Sequence, residues 1–277
     1  MIRQLQSMFH SITKSLEVLY VIEGAKQCSR MMVHEDELGK AAEFFGKHDL
    51  KYSVSDFKGI KQKSSEFYSE SSIKMPKNSE LKGHFFVYLS KDKEMAARAK
   101  VLEEKNDHRQ LGLLLGYPEC CCDFFQAKFN EKNPDLTLDA LSNSEGFKFP
   151  FHTNIAARHF DVTLLSYFPH SFSCSPSIEI AKKNLKVIEK NSENLAKIFA
   201  GLLKTAVIYA SQEGFFLLRG HQLKDKELYF NEVLTTTKSK LYYLLNEAKH
   251  GTIENKNSFK VGDEKFEGKD YGIMIFE

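Results

Sequence analysis

The sequence predicts an α+β protein in three parts: a ferredoxin-like α/β part over residues 1–104, a helical middle with a cysteine site over 105–204, and an antiparallel β part over 205–277. Three observations predict it. The first hundred residues alternate strand-like runs with helically spaced ones. The next hundred carry apolar residues mainly at helical spacing, and after Lys204 short β-branched and aromatic runs follow one another between turn residues. With 42% hydrophobic and 27% charged residues in 277, the chain falls outside the disordered and fibrous classes. Its 39 basic and 37 acidic residues leave a formal charge of +2, so no global field recruits nucleic acid or membrane.

In the first part, "LEVLYVIEG" (16–24) and "CSRMMV" (28–33) are β-branched and apolar around a Glu-Gly turn and are expected to pair as a hairpin. Leu38, Ala41, Ala42 and Phe45 in "HEDELGKAAEFFGKHDL" recur at helical spacing, with Gly46 as the stop. "KYSVSDF" alternates as a strand. "KGIKQKSSEFYSESSIKMPKNSELKG" lacks periodicity and reads as an exposed loop, after which "HFFVYLS" resumes as a strand and "KDKEMAARAKVLEEK" as a helix. The order ββαβ, loop, βα is that of a ferredoxin-like sandwich.

The middle reads as helices in "DHRQLGLLLG", "PECCCDFFQAKFNEK", a short "TNIAARHF" and the long "SPSIEIAKKNLKVIEKNSENLAKIFAGLLK", interrupted by one expected strand, "DVTLLSYF" (161–168). In the last part "TAVIYA", "FFLLRG", "KELYFNEV" and "YGIMIFE" read as strands and "KSKLYYLLNEAKHG" as a helix. The N-terminal residues lack an uninterrupted apolar segment and a small-residue cleavage site, and no run of about 18 apolar residues occurs, so a cytoplasmic protein with no membrane partner is expected.

Five cysteines, three of them contiguous, make a poor disulfide framework and a better set of metal ligands or reactive thiols. In "GYPECCCDFFQ" (116–126) Tyr117 is the expected cap and Pro118 the first helical residue, which puts Cys120 and Cys121 in the first turn. There the unpaired N–H groups and the positive end of the helix dipole favour thiolate. "YFPHSFSCSPSIEIAKKN" repeats the pattern, with Ser175 as cap, Pro176 as first helical residue and Cys174 just outside. If "DVTLLSYF" is a strand, His170 and Cys174 lie beyond its C-terminal end, where α/β proteins place ligands.

Cys120, Cys121, His170 and Cys174 together supply three sulfurs and an imidazole, the tetrahedral set for zinc; an iron–sulfur cluster is the alternative cofactor. Adjacent helical residues point roughly 100° apart, so both Cys120 and Cys121 reach one ion only if the turn is distorted. Cys121 is then the spare thiol and a candidate catalytic group. Cys122, beside Phe124 and Phe125, and Cys28, in an apolar strand, read as core. Asn154 and Arg158 in "FHTNIAARHF" are candidates to face a substrate, with a surface ion pair as the plain reading of Arg158. Asp107 reads as a helix cap. "KQKSSEFYSESSIKMPK" mixes basic and aromatic residues as single-strand nucleic-acid binders do, against a plain reading as solvated loop, and "HFFVYLS" offers either stacking aromatics or core.

"LGYPECCCDFF", the Asn and Arg of "TNIAARHF", and "YFPHSFSCSPSIEIAKKNL" resemble a prokaryotic, notably archaeal, family known as domain of unknown function 483, and the likeness extends in general layout over most of the chain. The positions that carry it are Gly116, Tyr117, Pro118, Cys120, Cys121, Asn154, Arg158, Pro169, Cys174 and Ser177. Two positions depart from the family pattern: Tyr167 stands where it has histidine, and His170 where it has cysteine. The second exchange keeps a metal-competent side chain, which favours a ligand role. The resemblance implies no established activity.

Three functions follow as expectations. The first is a cytoplasmic metalloprotein, an enzyme of unknown reaction on a small-molecule substrate. The second is a metal-free thiol enzyme transferring sulfur or an acyl group. The third is a non-catalytic module for RNA or protein with a structural thiol site.

Overall fold

A computed structural model describes residues 1–61 and 72–277. The chain forms two compact units. One takes the described residues up to Pro134 together with Lys183–Ala196, the other Asp135–Lys182 with Lys197–Glu277, so the units cut across the three segments read from the sequence.

The first unit opens with helices α1 (Ile2–Phe9) and α2 (Ile12–Ile22). The expected hairpin strand over 16–24 is therefore a helix. Ser11 caps it, its hydroxyl accepting from the Lys14 N–H at 3.3 Å, and Leu16, Val18, Leu19, Tyr20 and Val21 are all buried. A helix covered nearly all round needs apolar residues at almost every position, and burial overrides their β-propensity.

Strand β1 (Cys28–His34) and helix α3 (Leu38–Lys47) follow, α3 burying Ala41, Phe44 and Phe45. It runs one residue past Gly46, and Asp49, at φ 53°, makes the reversal instead. Strands β2 (Lys51–Lys61), β3 (Ser72–Pro76) and β4 (His84–Ser90) complete an antiparallel sheet ordered β1-β4-β2-β3. Residues 58–61 and 72–76 of the expected polar loop are thus paired strand, with Ile60 opposite Ile73, while 77–83 are irregular as expected. Pro76 is tolerated because β3 is an edge strand. Residues 62–71, the centre of the stretch weighed for nucleic-acid binding, lie outside the described residues.

Helix α4 (Lys93–Glu104) comes next, then α5 (His108–Leu114) and α6 (Glu119–Lys128). In a ferredoxin-like sheet a strand returns after the second helix to flank β1. Here the chain continues from α4 into α5, and the fourth strand is β3 on the opposite edge. Phe85 and Tyr88 are buried, Tyr88 packing with Cys28, Ala99, Leu111 and Leu115, so the aromatics of "HFFVYLS" serve the core. Asp107 caps α5, accepting from the Gln110 N–H at 3.1 Å.

The second unit holds α7 (Thr137–Ser142), the short β5 (Lys148–Phe149), and two 3-10 turns, Phe151–Thr153 and Ala156–Phe160. Residues 161–168 are not a strand. Asp161 adopts a left-handed conformation, and the Thr163 hydroxyl accepts from the Leu165 N–H at 3.2 Å and donates to its carbonyl at 2.8 Å. This local turn uses the backbone groups that a strand would pair. The long helical stretch is two helices, α8 (Ser175–Asn191) and α9 (Glu193–Leu203), parted at Ser192, whose hydroxyl accepts from the Leu195 N–H. Residues 183–196 belong to the first unit.

Strands β6 (Ala206–Ala210) and β7 (Gly214–Arg219) match the sequence reading, and "KELYFNEV" divides between β9 (Glu227–Tyr229) and β10 (Glu232–Thr235), after the short β8 (Gln222–Lys224). Helix α10 (Lys240–Ala248) precedes a meander of β11 (His250–Asn255), β12 (Ser258–Val261) and β13 (Glu264–Glu267), and β14 (Tyr271–Phe276) closes the chain. Two five-stranded sheets result, ordered β10-β7-β6-β14-β5 and β13-β12-β11-β9-β8. Ile208, Phe216, Leu228, Leu241, Phe259 and Ile273 share one core between them. Every pair is antiparallel except β14 with β5.

Candidate metal centre

The thiol helix α6 is set by the turn before it. Gly116 takes φ 80°, a left-handed conformation that costs a side-chain-bearing residue more, and the Tyr117 N–H then reaches back to the Gly112 carbonyl at 2.9 Å. The cap falls on Pro118 rather than Tyr117, because Pro118 is extended (ψ 139°) while its carbonyl accepts from both the Cys121 and Cys122 N–H groups, at 2.9 and 3.0 Å. Cys120 and Cys121 are still in the first turn, beside the positive end of the dipole. Arg109 ties α5 to α6 through Asp123 at 2.6 Å and through Glu119. Gly112 lets the two helices approach, since a Cβ there would stand 2.7 Å from the Cys122 sulfur.

The second ligand segment is a loop pinned on several sides. The Thr153 hydroxyl donates to the Phe172 carbonyl at 2.7 Å, the Phe172 N–H donates to the Ser144 hydroxyl at 2.9 Å, and the Asn143 amide donates to the His170 carbonyl at 3.0 Å. Phe172, fully buried, packs on Phe149 and Phe276 with ring centroids 5.2 and 5.5 Å away. Cys174 ends the loop as the cap of α8: its N–H donates to the Ser171 carbonyl and its carbonyl accepts from Ile178, both at 3.0 Å. The cap is thus Cys174 and not Ser175. Because 161–168 is irregular, His170 and Cys174 are positioned by this hydrogen-bonded loop and not by a strand end.

The ligand atoms of Cys120, Cys121, His170 and Cys174 all lie within 4.8 Å of one another, a group that could hold a metal ion. The sulfurs of Cys120 and Cys121 are 4.0 Å apart. A tetrahedral zinc with sulfur at about 2.3 Å sets neighbouring sulfurs about 3.8 Å apart, so the two adjacent thiols meet one ion without distorting the turn. At that separation the expected conflict between neighbouring helical cysteines is absent. Cys120 faces solvent, Cys121 and Cys174 are buried, and His170 is half-buried.

The other cysteines have the core roles read from the sequence. Burial pushes the Cys28 thiol up to about 12 and the Cys122 thiol up to about 11, the latter aided by the neighbouring Asp123 carboxylate. Both are therefore protonated at neutral pH. Iodoacetamide at pH 7 is expected to leave Cys28 and Cys122 unmodified in the folded protein, read by peptide mass after a short pulse; rapid labelling of either would contradict their burial.

Asn154 and Arg158, the candidates to face a substrate, are engaged in the scaffold. Asn154 is buried, its amide donating to the Leu203 carbonyl at 2.8 Å and its oxygen accepting from the Ala157 N–H at 3.3 Å. Arg158 pairs with Asp135 at 2.9 Å, donates to the Ile155 carbonyl and lies 4.6 Å over the Phe168 ring. Asp135, one residue before the Leu136 cap of α7, in turn accepts from the Thr137 N–H at 2.9 Å. Tyr167 donates to the buried Ser177 hydroxyl at 3.1 Å.

Comparison with family models, with curated proteins and with solved structures gives no match for the chain. The sequence reading missed the residues that hold the His170–Cys174 loop: Asn143, Ser144 and Thr153. Their signal was the density of short hydroxyl and amide side chains in "LSNSEG" and "HSFSCS", which serve local hydrogen bonds. Among the described residues no helix is long and apolar enough to cross a membrane.

Proposed function

We propose that this chain is a cytoplasmic metalloprotein holding a single zinc ion through Cys120, Cys121, His170 and Cys174. The observation that carries the reading is the mutual spacing of the four ligand atoms, all within 4.8 Å. An iron–sulfur cluster places several atoms between its cysteine sulfurs and needs them farther apart than one ion does. Three sulfurs and one imidazole also match the Cys₃His set of zinc sites. Kinship with the family of unknown function belongs to the same reading, since Gly116, Pro118, Cys120, Cys121 and Cys174 shape or supply the cluster.

A second reading, an enzyme whose metal opens a position to a small-molecule substrate, rests on the exposure of Cys120. The displaced thiol is then Cys120 and not the buried Cys121. In either reading Asn154 and Arg158 act as scaffold.

Metal and acid-labile sulfide content of protein purified without oxygen tests the proposal. One zinc per chain with no sulfide is expected. Iron with sulfide would replace the ion by a cluster, and a metal-free chain would leave Cys120 and Cys121 as candidate nucleophiles of a thiol enzyme.

A further inference from the structure

Lys256, between β11 and β12, sends its ammonium into the end of α7. It donates to the carbonyls of Leu141 at 3.0 Å, Ser142 at 3.1 Å and Ser144 at 2.7 Å. An ammonium has three N–H donors, and all three are used here on carbonyls at and just beyond the C-terminus of α7, of which that of Leu141 also accepts from the Ser144 N–H at 3.0 Å. The positive charge also meets the negative end of the α7 dipole.

What these carbonyls belong to gives the contact its meaning. The corner at Asn143 and Ser144 is the support of the metal-ligand loop. The buried Ser144 hydroxyl donates its one proton to the Ala140 carbonyl at 2.7 Å, so the Ser171 hydroxyl, 3.1 Å away, must donate to it. The Phe172 N–H donates to the same oxygen, and Asn143 holds the His170 carbonyl. The Ser171 hydroxyl accepts from the Ser173 N–H at 3.2 Å, and its carbonyl accepts from the Cys174 N–H at 3.0 Å. Hydrogen bonds and the short peptide segment 142–144 between them therefore connect the Lys256 ammonium to the backbone of both ligand residues of the loop, His170 through the Asn143 amide and Cys174 through Ser144 and Ser171.

We propose that Lys256 is a positioning residue of the metal centre, fixing through the Asn143–Ser144 corner the backbone on which His170 and Cys174 are carried. The proposal rests on the metal reading given above. Partners that orient ligands from outside the coordination shell change metal affinity by about 10–100-fold. The C-terminal meander, which touches none of the four ligands through Lys256, would thereby be coupled to metal affinity, and by linkage metal would stabilise the corner in return.

The test uses full-length protein loaded with Co²⁺ as a spectroscopic stand-in and then displaced by Zn²⁺. Wild type is expected to show the visible absorption of a tetrahedral thiolate site; its absence would overturn the metal reading and this proposal with it. Given wild-type binding, Lys256→Met is expected to weaken Co²⁺ affinity about tenfold and to alter the absorption bands, while Lys256→Arg, which keeps the charge, recovers part of the loss. Asn143→Ala, at an exposed position, is expected to reproduce a smaller loss even if Lys256→Met fails to fold. The Lys256→Met/Asn143→Ala double variant should lose less than the two separate losses combined, because both act on one corner. Wild-type affinity and an unchanged spectrum in the folded Lys256→Met and Asn143→Ala variants would overturn the proposal while leaving the metal site standing.

Discussion

Cys174→Ala will lower zinc affinity by about a hundred- to a thousandfold, whereas Cys122→Ala, two residues beyond Cys120 on the thiol helix, will keep one zinc per chain. The magnitude follows from the roughly 10–16 kcal/mol that structural zinc sites draw from their ligands, of which Cys174 would supply a buried quarter. Cys122 makes its contribution through packing: its sulfur sits against Gly112 and is buried. Truncating it is expected to cost about 1 kcal/mol of stability by the small cavity it leaves. Zinc titration against a competing chelator, run beside thermal melting, separates the two variants. Equal loss of metal in both would mean that the helix, and not a defined ligand set, binds the ion. The metal dependence also has a direction with pH. Thiolate ligands must lose their protons to bind, so affinity falls as pH falls, and acid should release the ion before it unfolds the chain.

Arg158→Ala is the second large effect, and it falls on stability. Asp135 keeps only 7% of its side-chain exposure and Arg158 23%. Removing the arginine leaves a mostly buried carboxylate without its cation, a change that costs about 3–5 kcal/mol in fully buried pairs. The partial exposure of Arg158 discounts this to about 2–4 kcal/mol, and a residue that merely faced a substrate would shift stability within about 0.5 kcal/mol. Asp135→Asn combined with Arg158→Met removes both charges together and should recover much of the loss. Asparagine can still accept from the Thr137 N–H, so that hydrogen bond at the start of α7 is retained. Denaturant midpoints of the three proteins provide the check, and a neutral Arg158→Ala would return this residue to the list of candidate substrate contacts.

The cysteine centre was readable in the sequence for a local reason. Gly-Tyr-Pro before Glu119 and a proline after Cys174 mark two helix starts, and a helix start fixes which residues fall in the first turn whatever the rest of the chain does. The caps moved by one residue in each case without displacing the ligands from the first turn or its cap. Strands β6, β7 and β14 were readable because five consecutive buried residues in each leave few alternatives.

The failures have a common cause in tertiary burial. Residues 12–22 carry strand-favouring side chains but are wrapped on nearly every side, so a helix accommodates them. In 161–168 Val162, Leu164 and Leu165 are buried as an irregular segment, and Thr163 redirects the backbone by bonding to Leu165. The β11–β13 meander hid behind lysines and glutamates on its exposed positions, among them Lys260, Lys265 and Glu267. Lys256 was invisible for a different reason: nothing local distinguishes a lysine that caps a helix more than a hundred residues earlier from one in solvent.

X-ray absorption at the zinc edge of the purified protein tests the central claim most directly. The account predicts three sulfurs at about 2.3 Å and one nitrogen at about 2.0–2.1 Å, with no metal–metal scattering. A shell of nitrogen and oxygen alone would contradict it, as would fewer than two sulfurs per zinc.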